Sequence, residues 1–329
     1  MMEYIVRRFA FMLLLLVLVS IFSFILIQLP PGDYVTSYIS QMQAQSGITV
    51  DEQTIENIKA EYGIDKPVYT QYVMWVKNML HGDFGKSFEW NKPVSQLLSD
   101  TMPLTILLSL LTLIFTYVIA IPIGIYSARH QYSFLDYVFS SIGFIGLATP
   151  SFFIALIAMY FLNVKLGISA GGVNSVNFID APWSFAKLLD TLAHFPLPII
   201  VIGLAGTASV IRIMRGTLLD ELKRPYVTAA RARGIEERTL LYKYPVRVAL
   251  NPIVSTIGSI LPGIVSGATV TAIVLDIPTV GTLLYTSLLS QDMYLSGACI
   301  MLLSFLTIIG MFISDVLLVL VDPRIALAK

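Results

Sequence analysis

Cysteine is nearly absent from this 329-residue chain: Cys299 alone sits inside an apolar run, which excludes an internal disulfide framework. Histidine is scarce too. His81, His130 and His194 lie far apart and share no metal-ligand spacing, so no metal site is expected. Charge is the third shortage: 13% of residues are charged and 56% hydrophobic, with a mean hydropathy of +0.78. An ordinary soluble domain carries about a quarter charged residues, so that class is excluded. The formal net charge is zero and gives no reason to expect a nucleic-acid partner. The distribution of charge carries the information instead.

Apolar runs dominate the chain. Arg7 and Arg8 precede an unbroken run from Phe9 to Leu29, longer than the core of a signal peptide and ending in Pro30-Pro31-Gly32-Asp33. It is expected as a retained first span, since roughly 20 apolar residues cross the hydrocarbon. Further spans are expected at about Leu104–Tyr126, Tyr137–Leu162, Pro198–Arg215, Ile253–Leu275 and Gly297–Val321, six in all. The fourth is short and requires Arg212 and Arg215 to snorkel at its end. The linker from Asn163 to Pro196, with Gly171-Gly172 and an amphipathic piece containing Trp183, Phe185, Leu188 and Leu189, suits a helix lying along the interface. The fold class is therefore all-α and polytopic. Residues 1–30 form the N-terminal segment and first span, 31–102 an extracytoplasmic helical cap, and 103–329 the core.

Within the cap, Thr49 and Glu52 form a capping-box pair ahead of Ile55, Ile58 and Tyr62, with Gly63 as a stop. Asp65 and Pro67 start a second helix whose face is Tyr72, Trp75, Val76 and Met79. Gly85-Lys86-Ser87 imitates the end of a phosphate-binding loop, but Leu80 stands where that pattern needs glycine. No nucleotide site is expected here.

With six spans, fourteen Lys and Arg fall on the N-terminal side of the membrane and seven on the other. The basic bias of short loops sets orientation, so both termini and the basic segment 212–251 are expected in the cytoplasm. Pro225 can open a helix at no cost there, and Gly234 can close it. Between them, Ala229, Ala230 and Ala232 have almost no side chain, so another protein can approach the helix backbone. Tyr226, Val227 and Ala230 share one face, flanked by Arg231 and Arg233. A second amphipathic run follows from Glu236 to Tyr244.

The segment Tyr226-Val227-Thr228-Ala229-Ala230-Arg231-Ala232-Arg233-Gly234 resembles the cytoplasmic signature of bacterial ABC importer permeases, which reads Glu-Ala-Ala, three residues, Gly. It looks most like the peptide/nickel family of the dipeptide and oligopeptide permease B type. Thr228 stands where the general pattern has Glu, and Pro245 and Pro252 do not sit at its downstream proline spacing. Tyr62-Gly63-Ile64-Asp65-Lys66-Pro67, His81-Gly82-Asp83-Phe84-Gly85 and Asp322-Pro323-Arg324 resemble the same family, so the likeness covers nearly the whole chain. It implies a cell-membrane permease working by alternating access, paired with a second permease. It also implies two ATP-binding subunits that hold ATP and Mg, and an extracytoplasmic solute-binding protein. Peptide is the family's commonest cargo, with oligosaccharides and nickel chelates as alternatives. On this reading Tyr226, Ala229, Ala230, Arg231, Arg233, Gly234 and Ile235 dock the ATPase as a coupling helix. The chain itself needs no cofactor and is not an enzyme.

Pro150 in the third span and Gly258, Pro262, Gly263 and Gly267 in the fifth either mark a moving pathway or let helices pack closely. Asp315 lies inside the last span, where a structural pairing is favoured over a proton site. An ion-gradient-driven secondary transporter, the rival class, would want mid-membrane carboxylates and an inverted repeat.

Overall fold

The computed structural model describes residues 2–28, 66–87, 89–168 and 170–321; within the helices, the side chains of 2, 27, 259, 261, 262, 265, 266 and 321 are outside the described set. Twelve α-helices carry these residues, with no strand among them. In hydrocarbon, every backbone N–H and C=O must be satisfied inside its own segment, so apolar runs of this length become helices. They are α1 (Met2–Gln28), α2 (Val68–Leu80), α3 (Val94–Arg129), α4 (Phe134–Ala148), α5 (Ser151–Tyr160), α6 (Phe185–His194), α7 (Pro196–Leu222), α8 (Pro225–Ala232), α9 (Glu237–Lys243), α10 (Pro245–Val274), α11 (Val280–Leu289) and α12 (Met293–Val321). By length and composition, α1, α3, α12 and the run Phe185–Leu222 can each cross a membrane, and α4 with α5 makes a fifth crossing if the pair counts as one.

Three helices differ in extent or shape from the spans expected. The third span is not one rod: α4 and α5 meet at 105°. Pro150 has no N–H to continue the ladder and drives Thr149 to φ −102°, ψ 127°, which ends α4. The helix that carries the fourth span does not stop at Arg215 but continues to Leu222. Arg215 is not snorkelling; its guanidinium pairs with Asp136, which removes the reason for ending the helix there. The helix that carries the second span begins at Val94, ten residues before Leu104. The capping box at Thr49 and Glu52 and the stop at Gly63 lie outside the described residues.

The described residues form two compact units, one drawing on 2–12, 104–282 and 306–321, the other on 13–28, 66–103 and 283–305. In the first, one core cluster joins Ala120, Ile125 and Ala128 of α3, Val210, Met214 and Leu218 of α7, Leu241 of α9, and Val246, Ala249 and Ile253 of α10. A second joins Leu108, Ala155, Val201, Ile202, Ala268 and Ala272 on α3, α5, α7 and α10. Small residues permit these approaches. A Cβ at Gly124 would stand 2.6 Å from Met214 Cβ and 3.2 Å from the Ile211 carbonyl. Gly124→Val is therefore expected to cost about 1–3 kcal/mol by overpacking. Thermal unfolding of the detergent-solubilised variant checks this, and an unchanged midpoint would refute the close contact.

In the second unit, α2 turns Trp75 inward, with Tyr72, Val76 and Met79 half-buried beside it, the face expected from the sequence. Trp75 and Tyr72 pack on Phe24 at ring separations of 5.7 and 5.5 Å. Gly85-Lys86-Ser87 opens no helix. It forms a tight loop in which Ser87 N donates to Lys92 O and Val94 N to Gly85 O. Gly85 sits at φ +82°, against the ring of Tyr294. Asp292, 1% exposed, accepts from the Ser87 hydroxyl at 2.6 Å and from the amide of Leu295 in the first turn of α12.

Candidate functional site

The segment from α7 to α10 is a rigid corner built from local signals. Lys223 and Arg224 end α7, and Pro225 opens α8 at its first position, where its missing N–H costs nothing. At the other end Gly234 adopts φ +75°. Gly234 N bonds Arg231 O at 3.0 Å and Ile235 N reaches Ala230 O at 3.4 Å, the paired bonds of a Schellman stop. Both limits of the expected helix are found.

The corner is braced on each side. The Tyr226 hydroxyl donates to Glu221 Oε2 at 2.6 Å, and Arg224 lies 3.5 Å from the same carboxylate. Partial burial and the neighbouring Glu221 push the Tyr226 hydroxyl up to about 12, so it stays a donor at neutral pH. Val227 is fully buried beneath α8, while Ala230 and Ile235 are half-buried. Thr228, Ala229, Arg231, Ala232, Arg233 and Gly234 face outward, and a Cβ at Gly234 would meet nothing within 4 Å. α8 packs on α9 and α9 on α10, with Leu240 and Leu241 buried.

Arg231, one of the expected docking residues, is also bonded within the chain: Nη2 and Nε donate to Glu237 at 2.8 and 3.1 Å, stapling α8 to α9. The Arg231 side chain holds the Glu237 carboxyl below its ordinary range. Because the folded-state value is the lower one, the pair stabilises at neutral pH, and its contribution is lost as pH falls through that lowered value. Both side chains are half-exposed, so the contribution is small and shrinks with salt. Amide exchange at 232–235, corrected for intrinsic rate, is expected to accelerate below about pH 4 in the wild type. In Glu237→Gln it should be fast at every pH; a pH-independent wild type would sink the staple.

The other singled-out residues fall into three settings. Pro150 is the elbow between α4 and α5. Gly258 admits α12, since its Cβ would lie 3.2–3.3 Å from Ser314, whose hydroxyl bonds Val254 O. Gly263 and Gly267 of the same helix meet nothing within 4 Å, and Pro262 lies between them and Gly258. Asp315 pairs with Arg8 at 3.3 Å, and Phe9 meets Phe312 edge-on at 6.2 Å, so the start of α1 and the end of α12 lie together.

Sequence reasoning missed the Asp136–Arg215 pair. Arg215 Nε and Nη2 each donate at 2.9 Å to one oxygen of Asp136, which is 3% exposed. The only local hint is Ser133, three residues before Asp136, whose hydroxyl accepts the Asp136 amide and caps α4.

Comparison with known proteins places these features. The family described as binding-protein-dependent transport system inner membrane component matches residues 120–327, and the N-terminal component of such systems matches residues 1–109. The oligopeptide transport system permease protein AppB of Bacillus subtilis is 35% identical, with 99% of each chain covered. A probable peptide ABC transporter permease protein of Sinorhizobium fredii is 30% identical, with 98% of each covered. The nickel import system permease protein NikB of Staphylococcus aureus is 31% identical, over 97% of this chain and 90% of its own. The chain belongs to the binding-protein-dependent inner membrane components, as a permease of the ABC importer family that includes these peptide and nickel permeases.

Proposed function

We propose that this chain forms half of a heterodimeric pathway importing oligopeptides, worked from the cytosol by ATP-binding subunits that grip α8. The observation that carries the reading is the outward face of α8: small side chains and a bare Gly234 on a helix that follows directly on α7 and packs through α9 on α10. Closing and opening of an ATPase dimer would tilt this corner and bias the permease between inward- and outward-open states. The pairing of Arg8 with Asp315 supports an even number of crossings. Counting the α4–α5 elbow once and including α10 gives six, and the basic bias of the short loops would then put both termini in the cytoplasm. A solute-binding protein would dock on the opposite face, against the segment 31–102. Oligopeptide cargo rests on the relatives' names, one of which instead transports nickel.

The test is uptake into proteoliposomes holding the purified complex, its binding protein and a labelled oligopeptide. With ion gradients collapsed by ionophores, uptake is expected to continue on ATP and to stop with a non-hydrolysable analogue. Uptake that follows the gradient and ignores ATP would establish a secondary transporter instead.

A further inference from the structure

Resting on that reading, we propose that the Asp136–Arg215 ion pair is the tie that makes the α4–α5 elbow follow α7 when the coupling helix moves. The two are positioning residues: neither touches solute or nucleotide.

The geometry closes a loop. α7 runs directly into α8, and Arg215 sits seven residues before its end, roughly 10 Å along the axis. Beyond the pair, α4 and α7 run antiparallel through small-residue contacts. A Cβ at Gly143 would lie 3.5 Å from Ala208 Cβ, and the Leu204 side chain sits against Gly146, where a Cβ would come within 2.8 Å of it. Between membrane helices there is no hydrophobic force, so van der Waals packing alone opposes sliding along such a contact. A bidentate guanidinium–carboxylate pair fixes both distance and angle, so it sets the register of the interface.

Asp136 is itself anchored. Its Oδ2 also accepts the amide of Tyr132, holding the turn between α3 and α4 where Tyr132 takes φ 66°. A pull on the carboxylate is thus passed to the helix rather than absorbed by a free rotamer. At the bend itself, the Ser151 hydroxyl opening α5 bonds the Thr271 hydroxyl of α10 at 2.8 Å. The elbow is therefore fastened at Asp136 to the helix entering the coupling corner and at Ser151 to the helix leaving it. Stability alone does not call for the pair, because apolar residues of similar volume often replace buried ion pairs without loss.

That last point supplies the test. In a Cys299→Ala background, spin labels at Ile142→Cys on α4 and Gly216→Cys on α7, both exposed, report the interface in the complete complex with its ATP-binding subunits. Distances are compared without nucleotide and after trapping with ATP and vanadate. The native pair is expected to give one narrow distribution, unchanged by trapping. Asp136→Leu with Arg215→Met is expected to assemble and hydrolyse ATP, yet to shift or broaden on trapping. The charge swap Asp136→Arg with Arg215→Asp should restore the narrow distribution. If the apolar double variant keeps the native distribution in both states, or the native pair itself shifts, the tie is overturned. A wild-type complex without ATP hydrolysis overturns the coupling reading and the tie together.

Discussion

Import is expected to fall at least about tenfold in Gly234→Asp, equivalent to about 1.4 kcal/mol of lost docking, while the permease stays in the membrane at its usual amount. Two features of the corner make this outcome diagnostic. Gly234 holds φ +75°, so an L-residue there pays a backbone cost of roughly 1–2 kcal/mol. Its new side chain, however, would meet nothing of this chain within 4 Å. The fold loses little, and whatever else is lost belongs to the partner that covers the face. Asn tolerates the left-handed region without a charge, so Gly234→Asn separates backbone strain from an acidic intruder. Ala230→Glu is the companion variant. Ala230 is half-buried over Val227, so a glutamate there must swing out across the docking face. Wild-type uptake together with wild-type coupling of hydrolysis, in either acidic variant, would remove α8 from the ATPase interface.

Asp292→Ala is expected to cost about 3 kcal/mol or more in the unit containing 66–103 and 283–305. The carboxylate is buried and accepts from the Ser87 hydroxyl, the Glu89 amide and the Leu295 amide at 2.6, 3.4 and 3.2 Å. Removing it strands the Ser87 hydroxyl and the Leu295 amide, both on fully buried residues, at about 1–3 kcal/mol for each buried group left unsatisfied. It also uncaps the start of α12, worth about 1 kcal/mol. Asp292→Asn keeps one acceptor and should cost less. Because Ser87 and Asp292 share one bond, Ser87→Ala with Asp292→Ala should cost less than the two singles combined. Tryptophan fluorescence during thermal unfolding follows the loss, since Trp90 donates its amide to Ser87 Oγ. An unchanged midpoint in Asp292→Ala would show that the loop is not clamped to α12.

The clamp sets Gly85-Lys86-Ser87 in surroundings unlike those of a phosphate-binding loop. Ser87 faces a carboxylate, which would repel a phosphate, and Lys86 pairs its backbone with Pro93 in an isolated bridge instead of opening a helix. A three-residue match carries no information about what surrounds it.

What the sequence determined by itself is what depends on neighbours within a few turns. The apolar runs set which segments become helices, and Pro225 and Gly234 set the limits of α8. The period of Tyr72, Trp75, Val76 and Met79 set the inward face of α2. Tertiary structure decided what depends on partners far along the chain. Asp136 and Arg215 are 79 residues apart, and Ser87 and Asp292 are 205 apart. Read alone, Arg215 marks a helix end, because an unpaired charge in hydrocarbon is costly. Folded, it has a carboxylate beside it, and α7 runs on to Leu222. Arg231 shows the same dependence: its partner within the chain, Glu237, is seen only once the fold brings it to 2.8 Å. Helix formation is settled by hydrogen bonds inside one segment, whereas a charge is settled by whichever segment the fold brings next to it.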